Sequence, residues 1–274
     1  MSEIQPKLDA AGNVIGEIEA PLVRVDDEGT PIIQPPKLEQ EMMIPIVSSK
    51  LRNHILEMPK EIRKASGIIF FGRRIKSLVF TTDLAIIKNC DADAIFAVYP
   101  FTPQQSISDA IIKAASVPVF TGVGGGLTKG IRTVQLAKDC ESQGAMGVVL
   151  NHPTSNLNLR SVARAIDIPV ILTVASLNTN IADRLRYGAT ILNVAGGKNT
   201  VDIVRMIRKD YPNVPIIATG GNKPETILET IEAGANAITY TPPSIQEMFS
   251  QKMDLYREQS ETQKARGLSR FKKK

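Results

Sequence analysis

The sequence predicts an α/β protein whose body is a single (βα)8 TIM barrel, and three observations predict it. Eight short apolar runs rich in β-branched residues recur between Ser77 and Ser244. Their starts lie about 17 to 30 residues apart, the span of one strand, one helix and two short loops. The runs are apolar on successive residues, the mark of parallel strands buried on both faces. Eight such units close into a barrel that their own side chains fill, and closure leaves no sheet edge.

Residues 1–50 read as an extended N-terminal arm. Gly12-Asn13 and Asp27-Glu28-Gly29 are turn signals flanked by β-prone residues, so one or two hairpins are expected before Pro35-Pro36. The arm is too short for a core of its own. It is expected to pack on the barrel or on a neighbouring subunit, and a homo-oligomer is the expectation. The stretch SSKLRNHILEMPKEIRKA reads as a helix leading into the barrel, which with its leading helix and a bottom hairpin is placed at 51–250. SGIIFFGRRIKS reads as that hairpin, turning around Gly72.

The eight runs follow in order: SLVFTTD, AIFAVYP, VPVFTGVG, MGVVLNHP, IPVILTVAS, ATILNVAGG, VPIIATGG and NAITYTPPS. Amphipathic segments separate them. In NTVDIVRMIRKDYP the apolar residues Val201, Ile203, Val204, Met206 and Ile207 share a face, and Asn199 or Thr200 can cap it. KPETILETIEAG carries Pro224 in its first turn and Gly234 where the helix should stop.

Composition narrows the rest. The chain of 274 residues is 43% hydrophobic and 22% charged with no Trp, so its core is mostly Ile, Val, Leu and Ala. No apolar run is long enough to cross a membrane, and the polar, acidic start lacks the layout of a secretory signal. Cys90 and Cys140 have no metal or redox spacing, and a reduced, cytoplasmic chain is expected. The net charge of +5 is concentrated in the last fourteen residues, where six Lys and Arg face one Glu. Residues 251–274 read as a helix end and a basic, disordered tail; a nucleic-acid partner is not expected from the tail alone.

In a barrel of this kind the working face is the C-terminal end of the strands. Three runs end there in glycine clusters, GVGGG, VAGG and ATGG. Glycines bare backbone N–H groups, and a following helix N-terminus favours an anion. The alternative is that they only make tight turns. Anion or phosphate-ester binding is expected at these turns, with Gly196, Gly197, Gly220 and Gly221 among its contacts.

TGGNKPETILETIEAGANAI resembles the seventh strand–helix–strand unit of the ribulose-phosphate-binding barrels. That group holds keto-deoxy-phosphogluconate aldolases, N-acylmannosamine-phosphate epimerases and thiazole synthases, with IMP dehydrogenase-like barrels as cousins. The resemblance implies a TIM barrel in which the amides at Thr219, Gly220 and Gly221 hold a phosphate. FMN in the same cup and Mg²⁺ brought by a phosphate are left open by it, and no cofactor is required. The sequence departs from the pattern after the eighth strand: TYTPPS supplies two prolines, which have no N–H, so either the Thr241 and Ser244 hydroxyls substitute or the anion sits where Gly196, Gly197 and Lys198 meet Gly220 and Gly221. Similar uncharacterised sequences are sometimes labelled hydrolases.

Several chemistries lack their residues. No strand interior carries a lysine for a Schiff base, no cysteine follows the sixth strand, and His and Asp do not cluster as metal ligands. Ser176, His152 and Asp83 could be nominated as a hydrolytic set, but no GxSxG elbow marks them. What remains is acid–base work by Asp83 and His152, with Asn151, Asn193 and Lys198 polarising an oxygen. The expectation is an enzyme acting on a small phosphorylated metabolite, as a phosphosugar isomerase, epimerase or lyase. The alternatives are a non-catalytic anion-binding regulatory barrel and a hydrolase.

Overall fold

The structure is a computed structural model. It describes residues 56–257, together with four strands of the N-terminal arm. These are β1 (Ile4–Leu8), β2 (Val14–Glu19), β3 (Val23–Val25) and β4 (Pro31–Ile33). β1 pairs antiparallel with β2 and β3 with β4, so both turn signals join hairpin strands. The Pro35-Pro36 boundary, the first part of the leading segment and the basic tail lie outside the described residues.

The leading segment differs from expectation where it is described. Leu56 bridges to Cys90, and only Lys60–Lys64 is helical, as a short 3₁₀ turn. Pro59 explains the break, because it removes a backbone donor and disfavours helix at the residue before it.

The hairpin β5 (Ile68–Phe70) and β6 (Arg73–Ile75) turns through Phe71 and Gly72, both at positive φ (47° and 82°). The barrel strands are β7 (Ser77–Phe80), β8 (Ala94–Ala97), β9 (Val119–Gly124), β10 (Gly147–Leu150), β11 (Val170–Val174), β12 (Ile191–Val194), β13 (Ile216–Thr219) and β14 (Ala237–Tyr240). All neighbours are parallel and β14 closes on β7. The seven connecting helices are α1 (Leu84–Lys88), α2 (Gln105–Ala114), α3 (Ile131–Ser142), α4 (Asn156–Ala163), α5 (Ile181–Arg186), α6 (Thr200–Asp210) and α7 (Pro224–Glu232). An eighth, α8, runs from 245 through 257.

Two kinds of core follow from strand alternation. Outward residues such as Val148, Leu172, Val194 and Ala218 pack against Leu159, Ile203, Val204 and Ile227 of the helices. Inward residues Leu78, Phe96, Phe120, Val149, Ile171, Ile191, Ile217 and Ala237 fill the lower barrel. The hairpin seals the bottom with Phe70 and Ile75, and the Phe70 and Phe120 rings lie 4.9 Å apart. With the bottom closed, any site in the barrel opens at the other end. No helix among the described residues is long and apolar enough to cross a membrane.

Candidate active site

Register decides which side chains face the axis at the open end. Phe80 pairs with Phe96, Thr173 with Asn193, and Thr219 with Thr239, all continuing the inward set. The last inward residue of each strand is therefore Phe80 on β7, Val98 just past β8, Gly122 on β9, Asn151 just past β10, then Thr173, Asn193, Thr219 and Thr239 on β11 to β14, with Asn193 and Thr239 buried one layer below Thr173 and Thr219. Three of these eight positions are apolar and five are polar. None of these side chains carries a charge.

Two of the polar atoms have no partner. Asn193 and Thr239 are 5% and 3% exposed, and Asn193 Oδ1 and Thr239 Oγ1 make no hydrogen bond. Asn193 Nδ2 donates to Thr173 Oγ1 at 3.3 Å. Leaving a buried polar atom unpartnered costs about 1–3 kcal/mol. Thr121, Thr133 and Gln143 also hold partnerless buried atoms, but they lie on the outward face of β9 and on or just after α3, outside the barrel.

Charge sits on the rim. The eight βα loops carry Lys129, Lys198, Lys223 and His152 against one carboxylate, Asp83. Asp83 is the N-cap of α1: its Oδ1 accepts from the N–H of Ala85 at 2.8 Å and of Ile86 at 3.3 Å. A cap of this kind compensates the carboxylate locally. Three lysines thus stand on the loops against Asp83, with the Glu247 carboxylate at the start of the helix after β14 as a second acid.

His152 follows Asn151 at the end of β10. Its Nδ1 accepts from Ala175 N–H at 3.4 Å, which puts the proton of the neutral ring on Nε2. It opens onto a polar groove of about 410 Å³ between the β10–α4 and β11–α5 loops, shared with Ser176 and Arg184. The Ser176 hydroxyl accepts from Asn178 N–H, and Arg184 donates to Thr154 O and Asn156 Oδ1. Asn151 lies instead beside a second cavity, of about 230 Å³, with Val98, Phe101 and Leu127. Asn151 N–H donates to Gly124 O at 2.8 Å, which fixes one loop to the next.

The glycines divide by role. A Cβ on Gly196 would lie 2.4 Å from Ile203 Cδ1, and one on Gly220 would lie 2.9 Å from Ile238 Cγ2. Both let a helix or strand approach closely. Gly196 N–H already donates to Thr200 Oγ1 at 3.1 Å. Gly197 and Gly221 have φ of 60° and 73°, a conformation that favours glycine. The N–H groups of Gly197, Gly220 and Gly221 have no acceptor among the described residues. Lys198 is exposed in the 3₁₀ turn Gly197–Asn199 that precedes α6.

After β14, Ser244 caps α8. Its N–H and hydroxyl donate to Glu247 Oε2 at 2.7 and 2.8 Å, and Glu247 N–H donates back to Ser244 Oγ at 3.2 Å. These bonds, the backbone one first, hold the Glu247 carboxyl below its usual range. Thr241 is exposed on the same loop. The structure thus brings Thr219 and Asn193 to the axis, sets Asp83, His152 and Lys198 on the rim, and gives Ser244 and Gly196 local partners. Phe80, Val98 and Thr239 were not among the expected site residues; period-2 alternation carried up each run from Leu78, Phe96 and Ala237 selects all three.

No protein-family model matches the chain, and no curated protein matches its sequence. Solved structures do match in fold. Phosphonopyruvate hydrolase, in complex with oxalate and Mg²⁺, aligns at TM-score 0.54 and 13% identity over 69% of this chain and 83% of its own. The chain is a TIM barrel. 2,3-Dimethylmalate lyase, a PEP mutase/isocitrate lyase superfamily member, aligns at 0.52 and 14% over 80% of this chain and 89% of its own. Mandelate oxidase, bound to 3,3-difluoro-2-hydroxy-3-phenylpropionic acid, aligns at 0.53 and 12% over 65% of this chain and 68% of its own. A hydrolase, a lyase and an oxidase on one scaffold show that the likeness carries fold and not reaction.

The Mg²⁺ of the first of these barrels finds no matching donors here. Among the described residues no three His, Cys, Asp or Glu gather as metal ligands. The barrel interior offers only amides and hydroxyls, and Asp83 is engaged as a cap. Mg²⁺ commonly takes one or two carboxylates and keeps several waters; the loops offer one carboxylate, Asp83, so the described residues form no all-protein cage for it.

Proposed function

We propose that the chain is an enzyme that binds a small anionic metabolite in the barrel mouth. The reaction moves a proton on or off the carbon beside a carbonyl, as lyases and isomerases do. The observation that carries the reading is the pair of buried atoms without a partner among the described residues, Asn193 Oδ1 and Thr239 Oγ1, one layer below the open end of the barrel. A ligand that hydrogen-bonds both removes a cost the free protein bears.

The loop lysines support an anion, with Lys198 and the amides of Gly197, Gly220 and Gly221 as its receptors. The similar barrels bear the names of enzymes for small acids: phosphonopyruvate, 2,3-dimethylmalate and mandelate. Asp83 Oδ2, left free by the cap, acts as the base from the β7 side. His152 Nε2–H delivers a proton from the β10 side, and Asn193 Nδ2 and Asn151 polarise the substrate oxygen.

The test is deuterium exchange at carbon. Pyruvate, oxaloacetate and ribulose 5-phosphate are incubated with the protein in D₂O and followed by proton NMR. Exchange above the buffer rate with at least one of them, lost in Asp83→Asn and His152→Ala, is the expected result. A second reading, a binding barrel without turnover, is favoured by the charge-free interior. It predicts saturable binding of one of the same compounds with no exchange in any.

A further inference from the structure

Resting on the anion-binding mouth proposed above, we infer that the ligand is a small acid carrying an apolar, preferably aromatic, substituent rather than a phosphosugar. The last inward residues of the strands divide into two kinds. From β11 to β14 every inward residue offers a hydroxyl or an amide: Thr173, Asn193, Thr219 and Thr239. From β7 to β9 none does: Phe80 and Val98 are hydrocarbon, and Gly122 has no side chain.

Phe80 decides the matter. It is inward by register with Phe96, and the two rings stand 6.3 Å apart, tilted by 34°. Phe96 beneath it is 2% exposed, but Phe80 is 36% exposed. An aromatic ring that faces the barrel axis and is still exposed presents that surface to whatever enters the mouth. The 230 Å³ cavity shares Val98 and Gly122 with this face and adds Phe101 and Leu127, with Thr128 and Asn151 as polar members of its wall. Phe101 is 75% and Leu127 100% exposed.

A sugar presents hydroxyls on both faces, and each hydroxyl turned toward β7–β9 would lose its water without a replacement partner. A phenyl or branched alkyl group there buries apolar surface against Phe80 and Val98 instead. The carboxylate and its neighbouring oxygen then face Asn193, Thr239 and the amides after β13. This division thereby fixes the ligand's orientation as well as its class.

Calorimetric titration of the whole protein with phenylpyruvate, pyruvate and ribose 5-phosphate tests the inference. Phenylpyruvate should bind about tenfold or more tightly than either of the others, the gain expected from seating one ring on an aromatic wall. In Phe80→Gln that preference should fall to about threefold or less, while Phe80→Leu, which keeps apolar bulk, should hold an intermediate ratio. Each ratio is taken within one variant, so retained pyruvate binding certifies the fold. Equal binding of all three compounds, or a preference unchanged by Phe80→Gln, overturns the inference and leaves the anion site standing. Tighter ribose 5-phosphate overturns it in favour of a sugar. No binding by any compound overturns both.

Discussion

Replacing Thr239 by Val should make the ligand-free protein more stable and its ligand weaker. Thr239 is 3% exposed, its Oγ1 has no partner, and valine keeps the β-branched shape that a strand prefers. The substitution removes a desolvated hydroxyl without opening a cavity, so the gain is a part of the roughly 1–3 kcal/mol that an unpartnered group costs. About 1 kcal/mol is a fair expectation, which for a barrel of this size raises Tm by roughly 2–4 °C. Thr239 is the better probe than Asn193. Removing Asn193 Nδ2 would also strand Thr173 Oγ1, to which it donates, and that loss would offset the gain. Calorimetry supplies the stability and titration with oxalate the affinity, which should fall by about five- to thirtyfold if the hydroxyl serves the ligand. A lower Tm with oxalate binding unchanged would refute the reasoning, because the hydroxyl would then be structural.

Asp83 separates capping from chemistry. Asp83→Asn keeps an equally good cap and should leave stability within a few tenths of a kcal/mol, while Asp83→Ala should cost about 1 kcal/mol; both should abolish exchange at carbon, as urea unfolding and NMR would read. Gly196→Ala should destabilise by about 1–3 kcal/mol because its Cβ meets Ile203 Cδ1 in the core, whereas Gly197→Ala, with open space but φ of 60°, should cost roughly 1 kcal/mol. Burial pushes the Cys140 thiol up, so at pH 8 iodoacetamide should spare it in the native protein and label it in urea. The sign for stability follows: the unfolded thiol ionises first, so this contribution is intact below the ordinary thiol range and is lost as pH rises above it.

All eight strands were legible because burial on both faces writes itself as consecutive apolar residues, and Pro224 and Gly234 marked α7 from either end. Site composition was less legible because it depends on parity at the strand ends. NAITYTPPS reads equally well with Tyr240 or Thr239 inside until Ala237 is known to face the axis. Phe80 and Val98 sat within apolar runs and looked like core. The sequence also shows that Gly196 and Gly220 are glycines but not why, since the atoms a Cβ would strike belong to Ile203 and Ile238, 7 and 18 residues onward. SIQE was a readable capping box, and it accounts for the Ser244 hydroxyl. Pro59 was the visible warning against one continuous leading helix.

The anion-binding mouth is tested most directly by nitrogen–proton NMR of the labelled protein titrated with oxalate and, separately, inorganic phosphate. Saturable shifts of the Asn193 side-chain amide and of the Gly220 and Gly221 N–H groups, moving together with one dissociation constant, are predicted. Shifts confined to surface lysines and the basic tail, with those three resonances unmoved at saturation, would contradict it.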